Sequence, residues 1–236
     1  MLAAEVDTAL QRVWRAVRHY WEPNAVHGHG PDHAERVYAV GIQLAAAEGA
    51  DPLVVGAGCY IHDAGMRPDI GRTGHIERSL QIALALCEEI PELAAVRELL
   101  LTTIRYHEAE LAFPTPLPIE VVCVRDSDTV DRLGFPGIRM TLQYGVWVGR
   151  ALCHPTDPLC RERTPDFDSF SMDYVRHLES LPQYLVTSLA RSISQEKQKQ
   201  HELYCSEFLS AFRQGLMRTH EDALQLAMGH VREAIR

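Results

Sequence analysis

The sequence contains no long apolar run, no C-x-x-C pair, no basic excess and none of the short glycine signatures of nucleotide-binding loops. The first absence, with a mean hydropathy of -0.15, leaves no candidate for a membrane-spanning helix. The opening residues Met1-Leu2-Ala3-Ala4-Glu5-Val6-Asp7 lack the basic region and apolar core of a signal peptide. The expected compartment is therefore the cytoplasm, with no membrane partner. The cysteines are scattered at 59, 87, 123, 153, 160 and 205, mostly in apolar helical context. They read as free buried thiols rather than as a disulfide or zinc framework. With 23 Lys and Arg against 32 Asp and Glu, the formal charge is -9. Nucleic acid is not expected as the main partner, because neutralising phosphates needs a basic face. No G-x-x-x-x-G-K-[ST], G-x-S-x-G, H-E-x-x-H or G-x-G-x-x-G occurs, so P-loop NTPase, serine hydrolase, zincin and Rossmann readings lack their signatures.

What the chain does have is Gly58-Cys59-Tyr60-Ile61-His62-Asp63-Ala64-Gly65, an apolar helical run ending in an adjacent histidine and aspartate. Both side chains are costly to bury without a cation or hydrogen-bond partners. Imidazole nitrogen and carboxylate oxygen together suit a borderline divalent ion. Alone, the pair would also fit a hydrogen-bonded helix end, so the other ligands have to come from elsewhere in the chain.

Taken in order, residues 4 to 20 carry Val6, Leu10, Val13, Trp14 and Val17 at helical spacing. A turn-rich stretch, Asn24 to Asp32, leads into a helix that runs to Ala47, with Pro31 in its first turn. His33 sits in that turn, and Arg36 shares its face; a surface histidine and arginine would fit the same pattern. Asp51 and Pro52 start a buried helix to Ala64. The loop 66 to 74 is polar and contains glycine. His75 opens the next helix, which ends at Pro91. Residues 92 to 106 form another, delivering His107-Glu108 at its end, and a proline-rich connector covers 113 to 118. Val121 to Leu133 reads as one helix despite its valines, because Val122/Asp126/Val130 and Val124/Asp128/Arg132 step by four. Arginines 125 and 132 around Asp128 fit an ordinary salt-bridge ladder, which leaves three carboxylates within six residues unexplained. A helix is expected from 137 to 152, a long surface loop from 154 to 170, helix again from 171 to 216 with a break near Pro182, and a last helix from 217 to 236. The expected division is 1–150 for the helical core with the metal site and 151–236 for a loop and C-terminal helices.

His33-Ala34-Glu35-Arg36-Val37, His62-Asp63 and Asp126-Ser127-Asp128-Thr129-Val130-Asp131 together resemble the HD-domain metal-dependent phosphohydrolases. Gly74-His75, Gly134-Phe135-Pro136-Gly137-Ile138-Arg139 and the segment Gln198 to Phe212 are similar to a group of small stand-alone bacterial members. The likeness covers about residues 20 to 215. Thr129 and Val130 stand where a basic residue and a leucine are usual, and nothing in the family matches the 151 to 170 loop.

The resemblance implies an all-α HD-domain bundle with additional C-terminal helices. It implies His33, His62, Asp63 and Asp128 as ligands of a divalent ion (Mn, Ni, Zn, Mg or Fe), with Asp126 as an outer candidate. His75 and His107 are placed like the histidines that hold a second ion in some members. The expected activity is hydrolysis of a phosphate ester or anhydride of a small molecule, with a nucleotide as the expected substrate. In that reaction Arg36 would bind phosphate, Asp63 would orient water, and His75 or His107 would protonate the leaving oxygen. Two alternatives stand beside it, an HD-type diiron oxygenase and a nucleotide-binding regulator without turnover. The long C-terminal helices would also allow a homodimer.

Overall fold

The computed structural model describes residues 3–108, 116–162 and 169–234, and these are helical with no strand among them. The elements are α1 (Ala3–Trp21), α2 (Pro31–Glu48), α3 (Pro52–Ile61), α4 (His75–Glu89), α5 (Pro91–Ala95), α6 (Arg97–Arg105), α7 (Ile119–Asp131), α8 (Gly134–Trp147), α9 (Ser171–His177), α10 (Ser188–Arg213) and α11 (His220–Ala234). Short 3-10 segments occupy Glu22–His27 and Leu178–Tyr184. None of these helices is long and apolar enough to cross a membrane. The fold is all-α, as the helical spacings of the sequence predict. The valines of α7 do not make a strand: the segment is helical, and every residue from Val121 to Asp131 is buried.

Several expected boundaries move, among them the ends expected at 64 and 152, which fall at Ile61 and Trp147. The expected 92 to 106 helix is broken at Val96, whose backbone leaves helical geometry at φ -114°, ψ 13°, and yields α5 and α6. The helix expected to begin at 137 starts three residues earlier, because Gly134 takes a positive φ and turns the chain directly into α8. Of the proline-rich connector, residues 113–115 lie outside the described residues; so do 163–168 of the long loop.

The chain divides into two units. One comprises Met1–Ala25, His29–Val130 and Tyr184–Arg191; the other comprises Val26–Gly28, Asp131–Gln183 and Ser192–Arg236.

In the first unit α3 is the axis. Every residue from Leu53 to Ile61 is buried, and α1, α2 and α6 pack against it. Asp51 caps its start by accepting from Leu53 N at 2.8 Å, with Pro52 at the first helical position. Close approach of α2 depends on Gly41, where a Cβ would come within 2.5 Å of Cys59 Sγ. Trp21, Leu53, Ile61, Leu93, Leu100 and Ile104 are among its largest fully buried side chains. The Trp21 indole is satisfied by donating to the Tyr60 carbonyl at 3.0 Å.

In the second unit α8 packs against α9 and α11. Tyr204 and Phe208 of α10 are fully buried, and the Tyr204 hydroxyl donates to the Ala223 carbonyl at 3.2 Å. Ser171 Oγ and His220 Nε2 are 2.7 Å apart.

Candidate metal centre

The first unit gathers six donors from five helices. His33 lies in the first turn of α2 and His62 is the C-cap of α3, followed by Asp63; His75 opens α4, His107 follows α6, and Asp128 lies in the last turns of α7. Placing His62 and Asp63 at the end of a fully buried helix is what takes them out of water. Their turn is strapped to α4 through Gly65, whose N–H donates to Ser79 Oγ at 2.9 Å and whose carbonyl accepts from Arg78 Nε at 2.6 Å. A Cβ at Gly65 would overlap the His75 carbonyl, so only glycine allows this approach.

All six donors are buried, Asp128 being the most exposed at 8 %. They form two groups. His33, His62 and Asp128 make one, with Asp128 Oδ1 at 3.5 Å from His33 Nε2 and 3.8 Å from His62 Nε2. Asp63, His75 and His107 make the other, with Asp63 Oδ1 at 3.0 Å from His75 Nε2 and 3.4 Å from His107 Nε2. The two carboxylate oxygens of Asp63 are divided between the groups, because Oδ2 lies 3.8 Å from His62 Nε2.

Three of the imidazoles are oriented in the same way. Nδ1 of His62, His75 and His107 meets the backbone carbonyl three residues earlier, at 2.9, 2.7 and 2.7 Å. A carbonyl only accepts, so Nδ1 carries a proton, and Nε2 of each ring is the atom turned toward the pocket. This backbone support is the outer contact that metal-ligating histidines usually have.

The pocket's own electrostatics ask for a cation. Burial pushes His62 down to about 4, against the pull of Asp63 and Asp128, so its ring is neutral at pH 7. His62 Nε2, His75 Nε2 and Asp63 Oδ1 are buried without a directed hydrogen bond. Burial opposes the charge of Asp63, yet His62, His107 and His75 hold its carboxyl well below the usual range. Burial also opposes charge on His107, where the Asp63 carboxylate prevails and raises it. Two donors about 2.1 Å from one ion stand roughly 3.0 Å apart at a right angle and roughly 3.4 Å at the tetrahedral angle. The observed separations fall at or just above those values, so the donor set fits a divalent ion.

The other predicted residues separate. Arg36 lies one turn after His33 on α2, partly exposed, with Nη1 at 2.8 Å from Asp32 Oδ2. Asp126 turns away from the ligands. Its carboxylate accepts from Val186 N, Thr187 N (2.7 Å) and Thr187 Oγ1 (2.8 Å), and Thr187 Oγ1 in turn caps α10 at Ala190 N. Sequence reasoning missed a cation beside the second group. Arg72 pairs with Glu108, Glu108 Oε1 lies 3.6 Å from His75 Nε2, and the charges of Asp63, Glu108 and Asp128 raise the Arg72 guanidinium further against the effect of burial. The glutamate following His107 was the available signal; nothing in the sequence tied it to a loop arginine.

The HD-domain family model matches residues 32–133, a stretch that contains all six donors. Over that stretch the chain is similar to the HD domain. Among curated proteins no sequence matches it, but solved structures share the HD fold. A Lactobacillus plantarum protein aligns at 19% identity over 90% of this chain and 99% of its own, with a TM-score of 0.67. An HD-superfamily hydrolase from Bacillus thuringiensis aligns at 22% over 88% and 98%, TM-score 0.62. Bacillus subtilis YpgQ, solved in complex with ADP, aligns at 19% over 84% and 94%, TM-score 0.61. The fold is thus common to chains with little sequence in common.

Proposed function

We propose that this protein is a metal-dependent phosphohydrolase that cleaves a phosphate ester or anhydride of a nucleotide. The observation that carries the reading is the buried donor set, in which imidazole Nε2 atoms face carboxylate oxygens at 3.0 to 3.8 Å. His33, His62 and Asp128 would hold one ion, with Asp63 Oδ2 also facing it. When bound, a divalent ion lowers the pKa of water from 15.7 toward about 7 and neutralises charge on a phosphoryl oxygen.

The chain's own side chains do the rest. Asp63 accepts a hydrogen of the attacking water and so fixes the direction of its lone pair. Arg72, held by Glu108, offers its guanidinium to a phosphate oxygen, a geometry in which arginine is effective. Arg36 supplies a second, more exposed cation. His107, whose protonated form Asp63 favours, delivers a proton from Nε2 to the leaving oxygen. A nucleotide substrate is supported by YpgQ, a protein of the same fold solved with ADP.

One observation favours a second reading. Asp63 offers one oxygen to each histidine group, and a shared carboxylate between two ligand sets is also what two irons would need for oxygen activation. Elemental analysis of freshly purified protein separates the two. One or two equivalents of Mn, Ni, Zn or Mg, with phosphate or pyrophosphate released from a nucleotide panel and turnover abolished by chelator, supports hydrolysis. One equivalent leaves His107 as the proton donor, whereas two equivalents make it and His75 ligands. Two equivalents of iron, a visible absorption band and oxygen uptake without phosphate release would replace hydrolysis with oxygenase chemistry.

A further inference from the structure

The second unit contains another mixed donor cluster, unrelated to the HD motifs. On α10, His201 and Cys205 are one turn apart, and Glu179 comes from the 3-10 segment Leu178–Tyr184. Their ligand atoms all lie within 4.8 Å of one another. His201 is 3 % exposed. Its Nε2 is buried without a directed hydrogen bond, although Glu179 Oε1 is only 3.3 Å away.

An ordinary ion pair does not account for this arrangement. Burial pulls His201 below its usual range against the charge and hydrogen bonding of Glu179, so the imidazole is neutral near pH 7, and its 3.3 Å contact with the glutamate does not align as a directed Nε2–H···O bond. A carboxylate, a neutral imidazole and a thiolate carry two negative charges between them, which cancel those of a divalent cation in a partly dry setting. Nitrogen, sulfur and oxygen donors of this kind are the zinc set, and the i, i+4 spacing on one helix sends two of them the same way. Beside the cluster, Glu179 and Cys205 line a cavity of about 640 Å³ together with Arg161 and Arg213. Three protein donors with space on the remaining side leave a coordination position open to small molecules.

We infer that Glu179, His201 and Cys205 form a second, independent binding site for a zinc-like divalent cation, open toward this cavity. Binding replaces the Cys205 S–H bond by a sulfur–metal bond and releases the proton to solvent. Burial, followed by the Glu179 carboxylate, holds the free thiol's pKa up at about 12, so the ion and not the local environment has to drive that loss. The ion would tie the 178–184 segment to α10.

Cobalt(II) is the probe that separates this site from the HD pocket. None of the six HD-pocket donors is a cysteine, and no other cysteine joins a potential metal-binding group among the described residues. A thiolate-to-cobalt charge-transfer band in the near ultraviolet therefore reports on Cys205. The full chain, stripped with chelator and kept reduced and anaerobic, is titrated with cobalt and then zinc. The expected result is a charge-transfer band that zinc erases, that Cys205→Ser and His201→Ala lose, and that His62→Ala keeps. Cys205→Ser is close to isosteric at a half-buried position and carries the test if His201→Ala fails to fold. A parent without the band, or a band that survives Cys205→Ser, overturns the assignment. Because His62→Ala disables the HD pocket, loss of hydrolysis there leaves this test unaffected.

Discussion

The two donor clusters of this molecule are built in different ways. In the stretch matched by the HD model five helices each bring one or two potential donors to a common point, every donor is buried, and three histidines are locked by the carbonyl three residues before them. In the second unit a single helix supplies two donors, and the third, Glu179, has a side chain 56% exposed. The first design fixes geometry before any ion arrives; the second needs Glu179 to be ordered by the ion. Rigidity of that kind is what catalysis requires, because preorganised ligands and dipoles cost nothing at the moment of reaction. The looser cluster is better suited to reversible binding.

That contrast can be broken most directly at the His-Asp pair. His62→Ala or Asp63→Ala should abolish metal retention and lower turnover roughly a thousandfold, the equivalent of about 4 kcal/mol at 1.36 kcal/mol per decade. Helical circular dichroism should stay close to the parent's. Unchanged turnover in either variant would remove these residues from the site. Next in size is Arg72→Ala, expected to raise KM by about tenfold to a hundredfold, as loss of a charged hydrogen bond worth ~1.5–3 kcal/mol predicts. A fall in kcat alone, with KM unchanged, would mean that Arg72 acts only on the transition state or only through Glu108.

Asp126 and Asp128 sharpen the comparison within one helix. Asp126→Ala should retain metal and lose about 1–2 kcal/mol of stability in denaturant titration, the usual range for a lost cap. Asp128→Ala should do the reverse, keeping most of its stability and losing metal. If Asp126→Ala loses metal with its stability intact, the division of roles drawn from the hydrogen bonds is incorrect. Arg36→Ala is expected to have the smallest effect, a rise in KM of up to about fivefold, because a partly exposed, already paired cation contributes no more than ~1 kcal/mol. Kinetics identical to the parent's would leave it as the partner of Asp32 and nothing more.

Much of this was legible in the sequence, for identifiable reasons. Apolar steps of three and four gave the helices, and histidines or carboxylates beside helix ends gave His33, His62, Asp63, His75, His107 and Asp128. Those signals are local. The break at Val96 was hidden because both halves keep one apolar face. Arg72 and Glu108 are far apart in sequence and meet only in the fold, so no periodicity announces the pair. Asp126 and Asp128 look alike on paper; the two-residue step puts them on different sides of α7, and only the 186–187 backbone decides which one is a cap. Glu179, His201 and Cys205 were invisible for the same reason as Arg72, since a 3-10 segment and a helix have to meet before the three donors become a set.

One neighbour of the pocket has so far appeared only as core. Trp21 is fully buried, and its ring lies 5.8 Å from that of His33 and 5.4 Å from that of His62. An indole this close to two of the donor rings would make the pocket its own optical reporter. Manganese, nickel or iron bound there would quench its emission through their unpaired electrons, while zinc or magnesium would leave that route closed. With Trp14 and Trp147 replaced by phenylalanine, the occupancy, exchange rate and magnetic class of an ion bound there would be followed by light alone.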